Sequence, residues 1–172
     1  MSKPREIDIN AIAKSHPVED IQTHTNSLLR NLESLKSYYP NLFLDWDKLY
    51  ELLRLACIYH DLGKLYPRFQ YCIKNRIPYS GIPHGLLSLA FIDYKFLKKE
   101  FGLDNTDLKL LFQAVAYHHD RKMPYENSDF EIEFVKLEEP LQDFHYEELP
   151  SKFCAEKINK RYFSVGARFT LS

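Results

Sequence analysis

The sequence predicts an all-α domain. Glycine is scarce, with five in 172 residues. Long stretches carry apolar residues at helical spacing, and there is neither an internal repeat nor a low-complexity segment. Apolar residues make up 45% and charged residues 27% of the chain, a globular mixture that can bury a core. The length suits a single domain over residues 1–172.

The first helix is expected from Pro17 to Tyr38, with Pro17 in the first turn and Glu19 and Asp20 at the positive end of the helix dipole. Val18, Ile21, Leu28, Leu32 and Leu35 form its apolar stripe, and His24 falls within it. A second helix starts near Asp45, a suitable N-cap. It carries Leu49, Leu52, Leu53, Ala56 and His60 on one face and stops at Gly63. His60 and Asp61 thus fall in its last turn. A short helix covers Arg68–Lys74, and Asn75–Pro83, with Pro78, Gly81 and Pro83, reads as a loop. A helix follows from Pro83 to Lys99 with His84 in its first turn. Thr106 caps the next, whose stripe of Leu108, Leu111, Val115 and His118 leads to the His118–His119 pair.

Beyond Asp120 the helical signal weakens. Phe130–Val135 alternates and predicts a short strand or hairpin arm, and Ser151 can cap a last helix to about Tyr162. Residues 165–172 read as the start of a further structured segment, so the chain is expected to be truncated at its C-terminus.

The net charge of -1 excludes the whole-protein basic field of a duplex-coating protein. Any nucleic-acid contact must come from local patches or metal ions. Cys57, Cys72 and Cys154 are scattered, form no CxxC pair and are odd in number. They argue against a disulfide framework and for a reducing, cytoplasmic setting. The N-terminus, MSKPREIDIN, has no signal-peptide pattern, and no apolar run approaches the roughly 18 residues of a membrane span.

Seven histidines carry most of the chemical information. A single histidine on an apolar face is usually a hydrogen-bonded core residue. Five of them together with Asp61 are another matter: burying so many polar groups is costly unless they share a purpose. A divalent cation supplies one, because neutral imidazole and carboxylate are its ligands. Adjacent helical residues point about 100° apart, but geometry relaxes at a helix end, and one carboxylate can bridge two ions about 3.5–4 Å apart. His16 reads as a helix-start or solvent residue, His145 as surface and Cys57 as packing. Lys95, Lys98 and Lys99 read as a solvated run.

HDLGK at 60–64, after the apolar helix LYELLRLACIY, resembles the HD phosphohydrolase superfamily. Three blocks, HDLGKLYPRFQ (60–70), PHGLLSLAF (83–91) and AVAYHHDRK (114–122), are similar to the HD nuclease of CRISPR type I systems, the partner of the effector helicase. KSHPVEDIQTHTNSLL (14–29) fits its first helix. The resemblance implies an HD-superfamily helical domain with a metal centre in its core. His24, His60 and Asp61 would hold one ion. Asp61, His84, His118 and His119 would hold a second, with Asp61 bridging. Lys64 would meet a phosphate or the departing charge; its alternative is a helix-end cation. Ser88 would orient a ligand from behind or simply pack. Phe69 and Gln70 would line a substrate channel, with Phe69 equally suited to the core, and Arg121 and Lys122 would touch phosphates. The late aspartate ligand of that family has no clear counterpart: Asp120, Asp129 and Asp143 each sit in unsuitable places.

The implied activity is metal-dependent cleavage of single-stranded DNA, with RNA as a further substrate, in antiviral defence. Histidine-rich ligation favours Mn, Co, Ni or Fe over Mg. The implied partners are the single strand, the effector helicase and the RNA-guided surveillance complex, with no membrane. Two other readings use the same residues: an HD phosphohydrolase acting on nucleotides or cyclic dinucleotides, and a non-catalytic helicase-docking module.

Overall fold

Local capping and apolar spacing divide this chain into short helices that meet around one core. A computed structural model describes residues 5–6, 11–44, 46, 48–81, 83–119 and 144–145. The expectations for 130–135, 151–162 and 165–172, and for Arg121 and Lys122, fall outside these residues. Strand β1 (Arg5–Glu6) pairs in parallel with β4 (Phe144–His145). Strands β2 (Ile12–Ser15) and β3 (Val18–Asp20) form an antiparallel hairpin turning at His16–Pro17.

That hairpin displaces the expected start of the first helix. Helix α1 spans Ile21–Tyr38, and Asp20, extended at φ -77 and ψ 163, caps it by accepting from the Thr23 N–H. The reason is competition: the backbone of residues 18–20 is used in the strand ladder, so the helix begins only where Asp20 can satisfy the first free N–H groups. Val18 therefore leaves the apolar stripe and is 74% exposed, while Ile21 and Leu32 are buried.

Helix α2 (Leu49–Tyr59) begins after Lys48, and Asp45 is not among the described residues. It ends before the glycine: His60 is its C-cap, Asp61 lies in the turn, and Leu62–Leu65 form a 3-10 turn. Gly63 does not end this helix. A Cβ there would lie 2.0 Å from the His84 carbonyl oxygen and 2.8 Å from the Ser88 nitrogen. It is glycine because two backbones touch.

Helix α3 (Pro67–Lys74) takes Pro67 at its first position. The single helix expected over Pro83–Lys99 is two. Helix α4 (His84–Ser88) passes through a 3-10 turn at Leu89–Phe91 and stops, and α5 (Tyr94–Phe101) restarts after Asp93, which accepts from the N–H groups of Lys95 and Phe96. Gly102, at φ 60, closes α5 in the left-handed conformation. Helix α6 (Asn105–Ala116) is capped by Asp104 rather than Thr106. Asp104 and Asp107 form a reciprocal capping box, which a threonine hydroxyl two residues later cannot replace.

The core lies where α2, α4 and α6 meet. Leu55, Tyr59, Leu89, Leu108, Phe112 and Val115 are each 0% exposed. Helix α1 packs on α2, and α4 packs on both α6 and the Leu62–Leu65 turn. These packings bring the ends of α2 and α6, the start of α4 and the first turns of α1 to one place.

Candidate metal centre

Asp61 is the centre of the site and is 1% exposed. Its two oxygens face different partners. Oδ2 is 3.5 Å from His24 Nε2 and 3.4 Å from His60 Nε2. Oδ1 is 3.2 Å from His84 Nε2 and 3.6 Å from His118 Nε2. One atom each from His24, His60 and Asp61 lies within 4.8 Å of the others, and the same holds for Asp61, His84, His118 and His119. The five histidines and one aspartate expected at the site from sequence are thus brought together in two sets that share Asp61.

Neighbouring backbone carbonyls set the direction of two of the imidazoles. His60 Nδ1 is 2.9 Å from the Cys57 carbonyl oxygen and His118 Nδ1 is 2.7 Å from that of Val115. Each Nδ1 is then the protonated nitrogen, and each Nε2 presents a lone pair toward Asp61. Both contacts span three residues because each histidine sits just past a helix end, where the ring can fold back on the last turn.

The donor set fits a divalent ion. His84 Nε2 and His118 Nε2 face each other at 3.1 Å. Asp61 Oδ1 is buried and, among the described residues, accepts no aligned hydrogen bond, despite the rings beside it. A buried carboxylate oxygen without a hydrogen bond is costly unless a cation meets it. Burial lowers the pKa of His84 and of His24, and it leads the causes that bring His119, at the exposed lip, down to about 4, with the charges of His118 and His84 adding to it. These rings are neutral at pH 7, as ligation requires. Burial pushes the Asp61 carboxyl up, but its interactions with His118, His60 and His84 outweigh this and hold it far below the usual carboxylate range.

Lys64 is buried, and its Nζ lies 2.8 Å from Asp61 Oδ2 and 3.0 Å from the Ala13 carbonyl oxygen. Two of its three donors are thus used inside the protein. Ser88, fully buried, accepts from the Gly63 N–H at 2.8 Å, and its proton is placed between the carbonyl oxygens of His60 at 2.8 Å and His84 at 2.9 Å. It ties the two chain segments that carry His60, Asp61 and His84. Gln70 is not an open channel group. Its Oε1 accepts from the Ile12 N–H at 2.9 Å, and its Nε2 donates to the carbonyls of Ile12 at 3.0 Å and Lys64 at 2.8 Å. The amide substitutes for a neighbouring strand on β2 and is spent on backbone. Phe69 is half-buried, with its ring 5.5 Å from that of His84.

Glu19 was not anticipated at the site. Its Oε2 comes within 3.2 Å of His24 Nδ1 without the alignment of a hydrogen bond, and Lys14 pairs with it at 2.8 Å. Read as first-turn helix, Glu19 had no reason to approach His24; the hairpin puts it there. Ala13 contributes through its carbonyl alone, and no sequence signal marks that. The family's late aspartate has no counterpart among the described residues.

Histidines from several helix ends, gathered in two sets on one buried aspartate inside a helical core, define a metal-binding domain of the HD type. Residues 8–149 match the family model described as Cas3, HD domain, and the chain belongs to that family of CRISPR-associated, metal-dependent HD nucleases. No curated protein and no solved structure matches the chain. Among the described residues, no helix is long and apolar enough to cross a membrane.

Proposed function

We propose that this chain hydrolyses phosphodiester bonds in single-stranded DNA, with RNA as a second substrate, as the nuclease part of a CRISPR defence system in the cytoplasm. The observation that supports it is the division of Asp61: one oxygen turned to His24 and His60, the other to His84 and His118. A carboxylate so placed can serve two ions, the working unit of many phosphodiester hydrolases.

His24, His60 and Asp61 would hold one divalent ion, and Asp61, His84, His118 and His119 a second. Imidazole nitrogen favours Mn, Ni, Co or Fe over Mg. Bound there, such ions supply Lewis acidity and a hydroxide-like nucleophile near neutral pH. The protein's own contribution is positioning. The Cys57 and Val115 carbonyls hold His60 and His118 in the ligating tautomer. Lys64 steadies Asp61, and its remaining N–H is available to a phosphate oxygen or to the leaving group. Ser88 keeps the Asp61 turn and α4 in register. The exposed position of His119 leaves the site open on that side. The partners of this reading are the single strand, the effector helicase and the RNA-guided surveillance complex.

Cleavage of labelled single-stranded DNA is the test, with EDTA, Mg, Mn, Ni or Co, beside Asp61→Ala. Cutting that needs a transition metal and vanishes in the variant is expected. Silence on DNA and RNA with hydrolysis of nucleotides or cyclic dinucleotides would overturn it in favour of a nucleotide hydrolase. Silence on every substrate with metal bound would favour a docking module.

A further inference from the structure

Beside the metal centre lies a hollow that the proposed chemistry does not use. It has a volume of about 700 Å³ and runs between the β2–β3 turn and the segment that follows α3. Phe69, Tyr79, Ile73, Arg76, Ser15 and His16 line it. Its size is that of a small-molecule pocket, larger than one base needs alone.

Three features narrow the occupant. First, the hollow and the metal centre share a wall. The Phe69 ring lies 5.5 Å from His84 on one side and 5.0 Å from Tyr79 on the other, edge-on to both. Second, Phe69 and Tyr79 are only half-buried, so part of each ring faces the hollow and can take a flat π-system. Third, Arg76 is an exposed cation for which the described residues provide no acidic partner. Its backbone is also unusual. At φ 56 it occupies the left-handed position that closes α3, with its N–H donating to the Ile73 carbonyl and that of Ile77 to the Cys72 carbonyl. Glycine is the favoured residue at such a helix end. An arginine there bears backbone strain, and strain of this kind gathers at functional positions. An aromatic corner plus an exposed guanidinium matches a base and its phosphate. An apolar peptide would leave the arginine unused.

We propose that this hollow seats one nucleotide of the single strand beside the scissile phosphate, its base against Phe69 and Tyr79 and its phosphate against Arg76. The proposal rests on the nuclease reading and adds a subsite to it. It gives the enzyme a grip on a nucleotide without requiring a particular base, because every base has a π-face.

The test is steady-state cleavage in Mn by the full chain, on a ten-nucleotide strand and on an abasic strand of equal length. Tyr79→Ala should raise KM for the base-bearing strand about tenfold and leave KM for the abasic strand unchanged, the loss expected for one stacked base. Arg76→Gln should raise KM on both strands and reduce the salt dependence of log KM by about one phosphate contact. Both substitutions should spare kcat. Wild-type KM in both variants, or a wild type that cuts the two strands equally well, would overturn the subsite while leaving the nuclease standing. A wild type that cuts neither strand in any metal overturns the nuclease reading, and the subsite with it.

Discussion

Replacing Gly63 with alanine should damage the metal centre without touching any ligand. The new Cβ would lie 2.0 Å from the His84 carbonyl oxygen, 2.8 Å from the Leu87 Cβ and 2.8 Å from the Ser88 nitrogen. Two of these three neighbours are backbone, so no side chain can rotate to make room. The turn and α4 must part by about 1.4 Å for the His84 oxygen to reach ordinary contact at 3.4 Å, whereas a ligand set tolerates about 0.5 Å. The same opening stretches the buried hydrogen bond from the Gly63 N–H to Ser88 Oγ. Overpacking of about 1–3 kcal/mol and a weakened buried hydrogen bond of about 1 kcal/mol suggest a loss near 3 kcal/mol. For a chain of this length that lowers Tm by roughly 6–12 °C. The assay is thermal unfolding with and without Mn. Wild type should rise in Tm as the ion binds the folded state, by about 2.7 kcal/mol of stability at a hundred times Kd. Gly63→Ala should lose most of that rise. Gly102→Ala is the control: no atom of the described residues lies within 4 Å of its Cβ, so it should cost only the strain of φ 60 and keep the full response to metal. A Gly63→Ala protein with wild-type Tm and wild-type metal response would refute the close-contact argument.

Ser88→Ala should cost about 1–3 kcal/mol in urea unfolding by stranding the buried Gly63 N–H, and should weaken metal affinity about 10–100-fold by calorimetric titration. Asp61→Ala removes an atom from both ligand sets at once, so titration should find both sites lost rather than one. Glu19→Gln removes the charge beside His24 and should weaken the His24–His60 site about tenfold, measured as Mn affinity, with the other site unchanged. Acid should destabilise the α6 cap. Burial pushes the Asp107 carboxyl up, but the Lys48 ammonium and the Asp104 N–H outweigh it and hold it below its ordinary 3.8. A depressed folded-state pKa stabilises fully above 3.8 and is lost as pH falls through the folded value. Urea midpoints should therefore drop more steeply as pH falls below 3.8 in wild type than in Asp107→Asn, as followed by circular dichroism.

What could be read in advance was whatever depends on residue type and near-neighbour spacing. The all-α class, the apolar stripe of α6 and the gathering of His24, His60, Asp61, His84, His118 and His119 in one place were legible, because imidazoles on apolar faces at helix ends are improbable without a shared purpose. Helix boundaries were less so. Pro17 and Gly63 carry ordinary start and stop signals, yet the first lies in a hairpin turn and the second at a backbone crossing. Thr106 had the right chemistry for a cap, but Asp104 reached the same N–H groups and closed a reciprocal pair with Asp107.

The chemistry of the clustered groups was thus set by the sequence alone: imidazoles and one carboxylate, a donor set suited to a divalent ion that follows from side-chain type wherever the chain puts them. Which oxygen of Asp61 faces which histidines, the pairing of Lys64 with that carboxylate, the approach of Glu19 to His24 and the spending of Gln70 on β2 were decided only by tertiary structure. Each depends on segments far apart in the chain meeting at a defined distance and angle. Packing sets those quantities, and local propensity carries no record of them.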